Sequence, residues 1–88
     1  LDNTRRLQLE QLIAKGQQAR VALSFFDDFE QEQKQKLWEA CLERDATAMI
    51  QSRHIAQTTA DFKSFLQAAA SDGMIAEKDL MMEETRNG

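Results

Sequence analysis

The sequence predicts an all-α protein, and three observations carry that prediction. There is no proline among the 88 residues and there are only three glycines, at 16, 73 and 88. Proline and glycine are the residues that interrupt helices, so long helical runs meet little opposition. Alanine, leucine, glutamine, glutamate, lysine and arginine dominate, and these are strong helix formers. Valine occurs only at 21 and tyrosine never, which leaves little β-propensity. The pattern of breaks and apolar spacings predicts an elongated three-helix bundle, with helices at about 4–23, 28–44 and 46–71. A short C-terminal helix or tail follows, so that residues 1–76 form the bundle and 77–88 an amphipathic helix with a frayed end.

The first helix takes its apolar face from Leu9, Leu12, Ile13, Gly16, Ala19 and Leu23, at the three-four spacing that lines one side of a helix. Asn3 or Thr4 is suited to cap its start. Gly16 and Ala19 thin the middle of the stripe, which suits close helix packing. Ser24-Phe25-Phe26-Asp27 is expected to break the helix. Asp27 followed by Glu30 has the spacing of a capping box and would begin the second helix, with Phe26 packing back as a staple. That helix would bury Phe29, Leu37, Trp38 and Cys41 up to about Arg44.

The third helix has the most regular pattern. Ala48, Ser52, Ile55, Thr59, Phe62, Leu66 and Ala69 alternate spacings of four and three, a 3.5-residue repeat that calls for a partner helix along its length. Ala56, Phe65 and Ala70 widen this stripe. Asp45 or Thr47 can cap the start, and Ser71-Asp72-Gly73 is expected to end it, with Gly73 in the left-handed cap position and Met74 folding back. At about 24 residues and about 1.5 Å per residue this helix would be about 36 Å long. A compact chain of this length would be about 31 Å across, so the bundle should be elongated.

Charge excludes some functions. The net charge is −4, which lacks the basic field typical of nucleic-acid binders. It is also uneven: residues 1–26 carry four basic and two acidic side chains, and residues 27–45 three basic and seven acidic. These two segments are complementary if laid antiparallel, within one chain or between two. No apolar run reaches the length of a membrane span, and the start does not read as a signal peptide. Leu1 stands where a methionine would begin a natural chain, so the natural start is open.

No residue pattern points to catalysis, a cofactor or a metal. His54 is the only histidine and has no nucleophile or ligand set beside it in sequence. Cys41, the single cysteine, lies at apolar spacing from Leu37 and Trp38 and reads as a small buried hydrophobe. The acidic group Asp27, Asp28, Glu30 and Glu32 lacks the glycine and alternating ligands of a calcium loop. There is no glycine-rich phosphate loop, and no small-molecule substrate is indicated.

The remaining candidates form an interface. Phe25, Phe26, Trp38, Ile55, Phe62, Leu66, Met81 and Met82 are the apolar side chains a thin bundle could present to a protein partner, where aromatics and methionine are enriched. Phe62, taken as core, would cost about 3–5 kcal/mol on truncation to alanine. The leading expectation is a non-catalytic, self-associating interaction or assembly module with a protein partner, most simply a homo-oligomer. One alternative is a small helical nucleic-acid-binding regulator using Arg5, Arg6, Lys15 and Arg20. Another is an acidic inhibitor that covers a basic site with residues 27–45.

The layout resembles small all-helical proteins of unknown function from the structural gene clusters of tailed phages and prophages. The resemblance lies in Leu12, Gly16 and Ala19, in Phe25 to Phe29, in Leu37-Trp38, and in Phe62 and Leu66 closing with Asp72-Gly73-Met74-Ile75-Ala76. It covers residues 7 to 76 and implies a virion or assembly role, in the cytoplasm of a bacterial host or in the virion itself.

Overall fold

The computed structural model describes residues 2–87, with Leu1, Gly88 and the side chain of Asn87 outside the description. The fraying expected at Gly88 therefore lies outside the described residues. The chain is two long helices, α1 (Asn3–Glu43) and α2 (Ala46–Asn87), folded against each other as an antiparallel hairpin. It measures 65 × 16 × 13 Å, with a radius of gyration of 19.3 Å. A compact chain of this length would have a radius of gyration of about 12 Å.

The three-helix bundle is corrected at two points. The predicted break at residues 24–27 does not occur, and the first two expected helices are one. Nothing there removes a backbone donor, and Ser and Asp inside a helix cost only about 0.7 kcal/mol or less each. The Ser24 hydroxyl donates to the Val21 carbonyl at 2.6 Å without leaving the helix. Asp27 and Glu30 do not form a cap: three residues apart, they share a face and both reach Lys63, at 2.8 and 3.3 Å. The second correction is at Gly73, which ends nothing. Neither Gly16 nor Gly73 has positive φ, and α2 runs through Gly73 and through the expected separate tail to Asn87.

Gly73 has a different use. A Cβ added to it would stand 2.8 Å from the Cα of Gly16 and 3.0 Å from the Leu12 carbonyl oxygen, and one added to Gly16 would stand 2.8 Å from the Cα of Gly73. The two backbones touch here. Glycine within a helix costs about 1 kcal/mol relative to alanine, and the close approach it permits offsets that cost through packing.

The turn is short and well capped. Arg44 takes the left-handed conformation (φ 57°, ψ 33°). Its N–H donates to the Cys41 carbonyl at 3.2 Å, and the Asp45 N–H reaches back to the Ala40 carbonyl at 3.0 Å, which is the paired closure of a Schellman motif. Asp45 then caps α2, its carboxylate accepting from the Ala48 N–H at 3.1 Å. At the other end Asp2, rather than Asn3 or Thr4, caps α1 by accepting from the Thr4 N–H.

The seam between the helices follows a seven-residue repeat. In α1 the buried residues are Leu9, Gly16, Ala19, Gln33 and Ala40. In α2 they are Ser52, Thr59, Leu66, Ala70, Gly73 and Ala76. Ser52, Thr59, Leu66 and Gly73 fall seven apart, continuing the predicted stripe past its expected end. Ile55 and Phe62, on the other line of that stripe, lean out of the seam and are exposed. Ala19, Leu66 and Ala70 form the core cluster, bordered by Ala22, Leu23, Phe26 and Ala69.

Candidate interaction surface

Two helices provide one seam, and one seam cannot cover this sequence's apolar side chains. A chain of 10.1 kDa folded compactly would expose about 5,300 Å²; this one exposes 6874 Å². Large apolar residues are part of what it exposes. Phe25, Phe29, Phe62, Phe65, Trp38, Leu42, Ile50, Met74, Ile75, Met81 and Met82 are all exposed.

All five phenylalanines gather on one side of the hairpin near its middle. Phe25, Phe26 and Phe29 line a shallow depression on α1. Phe26 reaches across to Phe62, with ring centroids 5.1 Å apart, and Phe62 is followed by Phe65 at 6.2 Å. Both separations lie in the range of favourable tilted ring pairs. Phe25 is 70% exposed and Phe65 68%. At about 200 Å² per ring, the four exposed rings present about 450 Å², comparable with the largest single apolar patches on ordinary monomers.

Across the seam from this patch, a polar bridge closes the other edge. Lys63 lies between Asp27 and Glu30. Its hydrogen bonds to Asp27 and then Glu30 hold its ammonium pKa above the usual lysine value, against a smaller opposing effect of desolvation. At the terminal end Arg5 approaches Asp79 and Glu83 at 4.0 and 3.9 Å, and Arg6 meets Glu84 at 3.0 Å. The basic start of the chain thus pairs with its acidic end. The basic and acidic segments expected to pair cannot do so within the chain, because residues 3–26 and 27–43 are successive stretches of α1.

Of the residues singled out from sequence, Phe25, Phe26 and Phe62 come together in the aromatic patch. Leu66 is buried in the core, and Ile55 lies exposed on α2 one heptad from Phe62. Trp38 is 61% exposed near the loop, on the same helix as exposed Leu42. Met81 and Met82 are exposed near the terminal end, where they line a depression with Lys78, Thr85 and Arg86. Phe29, expected to be buried, and Phe65, expected only to widen the third-helix stripe, belong to the patch. Cys41, expected to be buried, is exposed.

Among the described residues, no group of three or more His, Cys, Asp or Glu side chains is placed to hold a metal ion. Among the same residues, no helix is long and apolar enough to cross a membrane. The fold and this face define a class: an all-α antiparallel hairpin with one unpaired aromatic side. No protein-family model matches the chain, and neither does any curated protein or any solved structure.

Proposed function

We propose that the chain is a non-catalytic helical-hairpin module for protein–protein assembly, and that it works by self-association. The observation that carries this is the exposure of four of its five phenylalanines in one continuous patch. A patch of this kind is covered when a second helical surface packs on it, and its aromatic content is that of interface hot spots. The resemblance to phage structural-cluster proteins would make the assembly a virion component or a factor acting during its construction.

The two alternatives have less support. An acidic inhibitor using residues 27–45 would need Asp27 and Glu30, which are engaged with Lys63. A nucleic-acid-binding regulator would rely on Arg5 and Arg6, which are paired with Asp79, Glu83 and Glu84. Absolute mass by light scattering during size exclusion, over a range of concentrations, tests the proposal. A species heavier than the 10.1 kDa chain is the expected result. A monomer at every concentration would overturn self-association.

A further inference from the structure

Resting on that reading, we infer that the occupant of the aromatic face is a second copy of this chain, running in the opposite direction. The two hairpins form a four-helix bundle whose two-fold axis passes through the phenylalanine patch.

Area is the first support. Each chain exposes about 1,600 Å² more than a compact chain of its mass would. A pair that covered this excess would bury about 3,200 Å² in total, within the range of obligate homodimers. Position is the second. Phe25–Phe29 and Phe62–Phe65 lie within about 9 Å of the midpoints of α1 and α2, at about 1.5 Å per residue. A two-fold axis there superposes the patch on itself and still overlaps most of both 65 Å hairpins. A patch at either end would leave most of each hairpin uncovered.

Charge sets the direction. The two unlike segments noted in the sequence are the halves of α1, basic before residue 27 and acidic after it. A two-fold axis near residues 27–29 lays Lys15 and Arg20 of one α1 along the second half of the other, while Arg5 and Arg6 fall beyond its end and keep their partners in their own chain. Lys15, Ala22, Phe29, Lys36 and Glu43 follow a seven-residue spacing and so share one helix face. Lys15 and Glu43 stand fourteen residues either side of Phe29, so the axis brings each Lys15 to the partner chain's Glu43. Neither residue makes an ion pair among the described residues of its own chain. Same-direction packing would instead set Lys15 against Lys15 and Glu43 against Glu43.

The single cysteine makes a direct test possible. Cys41 is exposed and fourteen residues beyond Asp27. A nitroxide attached there should give a spin–spin distance of about 40 Å in the opposed arrangement, at about 1.5 Å per residue. About 20 Å or less, the width of a bundle, would overturn the orientation. The same sample is compared by mass with F25S/F65S and with W38S. The double variant should weaken the dimer by at least about tenfold while keeping its helical circular dichroism, and W38S should leave the dimer intact. A wild-type dimer that survives F25S/F65S and is lost in W38S would overturn this surface while leaving self-association standing. A monomeric wild type would overturn the functional reading itself.

Discussion

Toward the chain ends, α1 and α2 meet through Leu9, Gly16, Ala19, Leu66, Ala70, Gly73 and Ala76; toward the loop, the buried positions are Gln33, Ala40, Ser52 and Thr59. Both halves keep the same seven-residue repeat, but they fill it with different chemistry. In the terminal half, small and apolar residues let the backbones touch, and three acidic side chains of α2 hold Arg5 and Arg6 across the seam. In the loop half, buried polar side chains take up seam positions that could bury apolar surface. The Thr59 hydroxyl is satisfied by donating to the Ile55 carbonyl at 2.7 Å, inside its own helix. The comparison shows that a heptad repeat fixes which residues face the neighbour, while residue size and polarity decide how firmly they are held. The aromatic patch lies where the two halves join, so a partner there would brace the weaker one.

Breaking the terminal half should have the largest effect. Leu9 is only 2% exposed, and Leu9→Ala should cost about 2–5 kcal/mol in urea unfolding followed by circular dichroism. A loss below about 1 kcal/mol would mean that the terminal seam is not the stable half. Gly16→Ala is a sharper probe, because it improves helix propensity by about 1 kcal/mol yet places a Cβ 2.8 Å from the Cα of Gly73. Overpacking of this kind costs about 1–3 kcal/mol, and the obstacle here is backbone that no rotamer change can move. A net loss of stability is expected, and a net gain would show that the helices sit farther apart.

The loop half should respond in the opposite sense. Gln33 is buried in the seam, but its amide is not among the orphaned buried polar groups, so Gln33→Leu should raise stability by about 1 kcal/mol or less, through added apolar packing. Amide exchange should slow in residues 30–60 more than at the chain ends. Unchanged or faster exchange there would indicate that leucine packs no better than Gln33 in the seam.

The smallest effect concerns the polar edge. Because folding raises the Lys63 pKa, its contribution is fully present below the ordinary lysine value of about 10.5 and is lost as pH rises through the raised one. Lys63→Met should therefore lower Tm modestly at pH 7, and the gap to the wild type should close above about pH 10.5. A gap that stays constant through that range would assign the effect to packing of the lysine stem.

Helix content was legible because it follows from composition: no proline, little glycine and abundant helix formers act locally, residue by residue. The heptad in 48–69 and the small-residue spot at Gly16 and Ala19 were legible for the same reason, since a spacing survives without knowledge of the partner. The number of helices was not legible. Ser24, Asp27 and Gly73 have the residue types of caps, and each costs a continuous helix only about 1 kcal/mol or less. What outweighed those local preferences was contact made far along the chain, between Lys63 and the Asp27–Glu30 pair and between Gly73 and Gly16. The phenylalanine patch was half legible. Phe25, Phe26 and Phe62 stood out as aromatic, but their meeting with Phe29 and Phe65 depends on the register that the glycine contact sets. Sequence by itself determined that this chain is helical and which residues recur every seven positions. The tertiary structure alone decided that those positions pair within one hairpin and leave the rings outside, because helix termination and burial depend on free energies contributed by residues distant in sequence.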